Sequence, residues 1–197
     1  MYMQNNPSLV LASSSITRRA LLDRIGMPYQ IDAPDIDERV HENEAAEAAC
    51  RRLARGKART VAERHPGSVV IGSDQLVSCD ERIMGKPHDR PRAIEQLRFM
   101  SGKAIYFHVS VAVIDAHGGL QEHSETVTAH LRSLSDSEIQ HYLTREQPFN
   151  SAGSMKSEGL GTALLESMQS NDPTAILGLP LIATLRLLRA AGINPLG

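Results

Sequence analysis

Cysteine is scarce in this chain of 197 residues, with only Cys50 and Cys79 present. The pair makes neither a C-x-x-C motif nor a metal-ligand spacing, which argues against a disulfide framework and fits a reducing, cytoplasmic setting. The eight histidines are scattered without an H-x-x-x-H spacing, so a metal centre built from His and Cys is set aside as well. An excess of one charge is also missing. Lys+Arg 21 against Asp+Glu 23 gives a formal net charge of -2, so no general basic field exists to attract nucleic acid or an anionic membrane, and neither partner is expected. Any anionic ligand must be held by a local cluster. Long apolar runs are absent too. The tract Ile176 to Leu188 is broken by Gly178, Pro180 and Arg186, and the start MYMQNNPSLVLASSS has no basic residue, so neither a membrane span nor a leader peptide is expected. Finally, the P-loop pattern, G-x-G-x-x-G and the G-x-S-x-G nucleophile elbow do not occur, which removes three common site architectures.

What is present alternates between strand and helix patterns. Leu9 to Ala12 reads as a short buried strand and Thr17 to Ile25 as a helix ended by Gly26, with three serines between them. Tyr29 to Ala33 fits a second strand, and the alanine-rich run from Asn43 to Arg64 predicts a long helix stopped by His65-Pro66-Gly67. Val69 to Ser73 is an apolar strand without alternation, which implies cover on both faces, and Asp74 follows it where the strand is expected to end. A helix is predicted from about Pro91 to Met100. Ala104 to Ile114 and Leu120 to Leu131 flank His117-Gly118-Gly119 as a long hairpin. Ser135 and Glu138 form a capping box for a helix through Arg145, and Pro180 and Gly192 bracket the last helix. The pattern predicts one α/β domain over residues 1–197 with a mixed sheet.

Several clusters could carry chemistry. In Ser13-Ser14-Ser15-Ile16-Thr17-Arg18-Arg19 a strand passes through hydroxyls into a helix start bearing two arginines. Free N–H groups, the positive end of the helix dipole and a bidentate guanidinium suit a phosphate there, although a serine cap with solvated arginines would look the same. Lys57 lies in line with the apolar stripe of the long helix and must either snorkel or find an anion. Lys86, between Gly85 and Pro87, sits in a stiff segment suited to aiming a lysine at a phosphate. The acids are Asp35, Asp37 and Glu38 before the long helix, Asp74 after its strand, and Glu158 in Gly153-Ser154-Met155-Lys156-Ser157-Glu158-Gly159-Leu160-Gly161. The glycines around Lys156 and Glu158 suggest backbone that a ligand approaches closely, or else a mobile loop. Carboxylates that hold a divalent cation or activate water, beside cations that neutralise phosphate charge, are the groups phosphoryl chemistry requires.

Taken in order, LASSSITRR, IDERV, ARGKA, IGSDQ, MGKP, AGSMKSEGLG and ILGLPL resemble the Maf-like nucleoside triphosphate pyrophosphatases over nearly the whole chain. The resemblance implies an elongated α/β fold with a mixed sheet, flanking helices and a cleft between two lobes, akin to inosine triphosphatase, and a homodimer. It also implies hydrolysis between the α and β phosphates with Mg²⁺ or Mn²⁺, giving a nucleoside monophosphate and pyrophosphate. On the matched positions, Asp74 is the implied base or the residue that orients the attacking water through a metal, with Glu38, Lys57 and Lys86 as its catalytic companions. Glu38 and Asp74 are the implied metal ligands. Ser13, Ser15 and Arg18 are implied to bind phosphate. Thr17, Gln75 and Glu158 fall where the family selects its base. GSDQ with AGS-x-KSEG resembles the branch acting on 7-methyl-GTP, and the alternatives are dTTP, UTP or another modified nucleotide, or a nucleotide-binding regulator of cell division with little turnover. Ile16 stands where proline is usual and Thr17 where that branch carries tryptophan. On this reading Lys57→Met, which keeps the apolar stem, is expected to lower activity with little loss of stability, measurable as turnover beside a denaturation midpoint.

Overall fold

A computed structural model describes residues 7–197. The first six residues, on which part of the expectation about a leader rests, lie outside the described residues. Two compact units are formed. The first comprises the chain up to Gln75 with Val109–Glu125 and Asp172–Gly197, and the second comprises Leu76–His108 with Thr126–Asn171. One seven-stranded sheet runs in the order β2 (Gln30–Ile31), β1 (Leu9–Ala12), β3 (Val69–Cys79), β5 (Ala104–Ile114), β6 (Leu120–Leu131) and β7 (Leu165–Gln169), with β4 (Arg82–Met84) paired to β3 off that path. Strand β1 is parallel to β2 and β3, whereas β3 with β4 and β6 with β7 are antiparallel. The mixed α/β class expected from the sequence is the class observed. Among the described residues no helix is long and apolar enough to cross a membrane.

In the first unit, β1 and the start of β3 are buried along their length, and alternate side chains enter different clusters. Leu9, Leu11, Val69 and Ile71 pack with Leu21 and Leu22 of α1 (Ile16–Asp23) and Leu187 and Leu188 of α5 (Leu181–Ala190). Val10, Ala12 and Val70 meet Val61 of α2 (Ala46–Ala62). Cover on both faces accounts for the missing polar alternation. Helix α2 approaches the sheet very closely because its contact positions are alanines and the strand answers with Gly72. A Cβ at Gly72 would overlap the Ala54 carbonyl oxygen and come within 2.6 Å of the Ala58 nitrogen.

The boundaries differ from the sequence reading where local backbone decides them. Asn43 adopts φ 60°, a left-handed conformation that cannot continue a helix, so α2 starts at Ala46 instead of Asn43. The second strand is only two residues long, since Asp32 is drawn to Arg64 and His65 at the end of α2. The largest correction concerns β3, which does not end at Ser73 but continues through Asp74 to Cys79. It turns into β4 at Asp80 and Glu81, both with positive φ, as a tight hairpin requires.

In the second unit, α3 (Arg90–Met100) is capped by the Asp89 side chain on the Arg92 N–H. Helix α4 (Asp136–Glu146) carries the expected capping box of Ser135 and Glu138. The two helices pack together and bury Leu97, Met100, Ile139 and Leu143. Strand β7, exposed along nearly all its length, had no counterpart in the sequence reading. Gly72→Ala is expected to cost about 3 kcal/mol of stability, because backbone and not a movable side chain occupies the space. Urea unfolding reads this directly, and a loss below ~0.5 kcal/mol would contradict the close packing of α2 on β3.

Candidate active site

Strand alternation sends the residues after Gly72 in two directions. Asp74 points toward α2, as Gly72 does, and Lys57 reaches it from one helical turn beyond Leu53 in the buried stripe of α2. Lys57 Nζ donates to Asp74 Oδ1 at 2.6 Å, and the two side chains are only 6% and 9% exposed. The same ammonium lies 2.8 Å from Glu38 Oε1, whose side chain is 55% exposed. Two carboxylates therefore converge on one cation position, one of them buried and one open to solvent. Burial of an ammonium without an anion would be costly, so Lys57 does not snorkel; it is paired. Among the described residues Asp74 Oδ2 takes no hydrogen bond, which leaves it as the oxygen able to accept a proton from water. Behind the pair, the buried Cys50 thiol donates to the Asp74 carbonyl at 3.1 Å. Burial pushes this thiol up to about 12, so it stays protonated and keeps donating.

Ser73 and Gln75 point the other way. The Ser73 hydroxyl lies 2.8 Å from the carbonyls of both Ser110 and Gly178. Gln75 Nε2 donates to the Ile176 carbonyl at 2.8 Å, so its Oε1 is the atom left to a ligand. Arg18, half-buried near the start of α1, donates from Nε to the same Gly178 carbonyl at 2.8 Å. Ser15 caps α1 by accepting the Arg18 N–H at 3.3 Å, and Ser13 accepts the Ser15 N–H at 3.1 Å. Both hydroxyls act toward the backbone as acceptors and keep their own protons for a further acceptor. The capping and anion readings of this turn are thus compatible. Thr17 is half-buried in the first turn of α1.

Lys86 and Glu158 belong to the second unit. Lys86 is exposed and has no carboxylate partner among the described residues. The neighbouring Gly85 carbonyl is held by the Gly153 N–H and by Gln96 Nε2, which stiffens the segment. Glu158 is exposed on a loop tied to α4. There Tyr142 accepts the Lys156 N–H, and Glu146 pairs with Lys156 and accepts the Leu160 N–H. The glycines of that loop are explained by the protein itself. A Cβ at Gly159 would meet the Glu146 carboxylate, one at Gly161 the Lys156 backbone, and one at Gly153 the Val77 side chain. Contacts within the protein therefore account for these glycines without a ligand.

Of the expected residues, the first unit brings Asp74 and Glu38 each into contact with Lys57. It gathers Arg18 and Gln75 around the turn Ala175–Gly178. Cys50, Ser73 and Gly178 were missed as participants. Cys50 precedes Lys57 by two helical turns, which was the available signal, and Gly178 stands directly after an apolar triplet. Among the described residues no group of three or more His, Cys, Asp or Glu could hold a metal ion. The position shared by the two carboxylates is filled by the Lys57 ammonium, so Mg²⁺, which commonly takes one or two carboxylates and completes its shell with phosphate oxygens and water, would have to use their other oxygens beside it.

The chain belongs to the Maf-like protein family, whose family model matches residues 8–191. It is 48% identical over 195 residues to a 7-methyl-GTP pyrophosphatase of Bordetella avium, covering 98% of each chain. A protein of the same name from Albidiferax ferrireducens is 46% identical and covers 96% of each. Among solved structures, a HAM1 protein from Coxiella burnetii aligns with 80% of this chain and 98% of its own, at 13% identity and a TM-score of 0.43. At that level the likeness carries no argument.

The buried pair corrects the expectation for Lys57→Met. Removing the ammonium leaves a buried carboxylate uncompensated, so the variant is expected to lose about 3 kcal/mol at neutral pH, and Lys57→Met with Asp74→Asn to recover part of it. Denaturant unfolding of both variants is the check; an unchanged midpoint for the single variant would contradict the pairing.

Proposed function

We propose that the protein hydrolyses 7-methyl-GTP between the α and β phosphates, releasing 7-methyl-GMP and pyrophosphate. The observation that carries this reading is the buried Asp74 carboxylate with one oxygen fixed by Lys57 and the other free, in a chain nearly half identical to full-length relatives of that name. Asp74 Oδ2 takes a proton from the attacking water, while Lys57 holds the carboxylate in place through Oδ1. Arg18, with Ser13 and Ser15 beside it, binds phosphate oxygens, and Lys86 contributes further positive charge to the departing pyrophosphate. The acceptor Oε1 of Gln75 suits guanine, whose edge presents N–H donors, and Thr17 and Glu158 complete base selection. Glu38 would hold Mg²⁺ or Mn²⁺ together with the substrate, joined by Asp74 in the alternative where that carboxylate orients the attacking water through the ion instead of taking its proton, and the ion would supply charge neutralisation on the triphosphate. A cytoplasmic homodimer belongs to the same reading, the dimer supported by the family resemblance and the compartment by the two free cysteines.

The test is to incubate the protein with Mg²⁺ and a panel of 7-methyl-GTP, GTP, dTTP and UTP, measuring pyrophosphate and monophosphate beside Asp74→Asn. Selective turnover of 7-methyl-GTP is expected, falling at least about 100-fold in the variant and stopping when the ion is chelated. Tight binding without turnover of any nucleotide would favour a nucleotide-sensing regulator instead, and unchanged turnover in Asp74→Asn would remove the base assignment.

A further inference from the structure

The Gly178 carbonyl is the meeting point of two side chains from different elements. Arg18 Nε donates to it at 2.8 Å, and the Ser73 hydroxyl lies at the same distance with its single proton shared between this carbonyl and that of Ser110. Gly178 has φ +91°, and a Cβ there would press at 3.3 Å on Arg18 Nε, Arg18 Nη2 and Gln75 Oε1. Only glycine turns its carbonyl into this corner without strain.

The carbonyl holds Arg18 in a particular electrical state. Most arginines of α2 are paired with carboxylates, as Arg52 is with Glu44 and Arg55 with Glu122. Among the described residues Arg18 has no carboxylate within ion-pair distance. Its anchor is a neutral carbonyl, which fixes the direction of the guanidinium without cancelling its charge. With Nε engaged, both Nη groups remain, and these form the planar fork that grips phosphate oxygens.

An anchor of this kind works only if the carbonyl is itself immobile. On one side Asp172, 2% exposed, accepts from the Ile182 N–H at 2.6 Å and from Thr174 Oγ1 at 2.7 Å. These bonds tie the turn to the start of α5. On the other side the fully buried Ser73 ties the Gly178 carbonyl to β3, one residue before Asp74. The geometry points to Ser73 as a positioning residue that aims Arg18 at the substrate's phosphates through the Gly178 carbonyl. The inference rests on the reading of Arg18 as a phosphate ligand. It adds that the strand carrying the base also sets the direction of the arginine, so that base and phosphate clamp share one support.

Inorganic tripolyphosphate is the probe, since its binding reports on the clamp independently of turnover. Affinity is measured by calorimetry for the full-length protein, Ser73→Ala, Arg18→Met and the double variant, with a melting curve for each. Ser73→Ala is expected to weaken binding about 10-fold when Arg18 is present and less than about 2-fold when Arg18 is methionine. Ser73→Thr, which keeps the hydroxyl, is expected to retain the affinity; should Ser73→Ala not fold, the near-isosteric Ser73→Cys replaces it in the cycle. Equal losses in both Arg18 backgrounds, or no loss in either, would overturn the inference. Intact coupling with no hydrolysis of any nucleotide would instead count against the proposed reaction while leaving the role of Ser73 standing.

Discussion

The buried contact between Lys57 and Asp74 is the constraint around which the first unit is arranged. Neither charge can remain in the interior alone, so the helix that supplies the lysine and the strand that supplies the aspartate must lie at a fixed and short separation. That separation exists because Gly72 and the alanines at 54 and 58 remove the side-chain volume that would hold them apart. A side chain as small as a methyl group at residue 72 would push α2 outward and carry the ammonium with it. Packing and chemistry are therefore set by the same two residues of separation, Gly72 and Asp74. Glu38 then completes the arrangement from the solvent side, where an exposed carboxylate can exchange its ammonium partner for another cation at little cost.

The opposite face of β3 solves a different problem. Phosphate binding needs a cation whose charge has not been cancelled, yet a loose arginine loses much of its gain to ordering. A neutral carbonyl in a left-handed glycine turn meets both demands for Arg18, and Asp172 and Ser73 hold that turn from two directions. The amide of Gln75 is oriented by the same turn. The segment Asp172 to Pro180 thus serves two of the residues on which substrate recognition is proposed to rest.

Much of this was legible in the sequence, and the remainder was hidden for physical reasons. Apolar runs and caps located β1, β5, β6 and α4, because burial and capping leave residue-level marks. The two-faced strand was recognisable from its unbroken apolar run, but its end was misplaced at Asp74 since a buried ion pair looks locally like a strand rim. Strand β7 left no mark because it is exposed along nearly all its length and has no apolar face to impose a period of two. The Lys57 position was visible as a break in the helical stripe, while the partner that resolves it lies 17 residues away. The loop glycines from 153 to 161 hinted at a ligand, yet each makes room for Val77, Glu146 or the Lys156 backbone. Glycine marks close approach without saying what approaches.

Because side chains of β3 alternate, the strand from Gly72 to Gln75 writes two messages in one line, with the helix contact and the proposed base on even positions and the contacts to the Ala175–Gly178 turn on odd ones. Substitutions can alter one message while sparing the other. An insertion or deletion of a single residue cannot, since it would turn Asp74 toward the Gly178 turn and a clamp residue toward Lys57. Over evolutionary time this short segment should accept changes of letter and refuse changes of length, so the base preference proposed for position 75 is free to drift only within a frame that the buried Lys57–Asp74 pair holds constant.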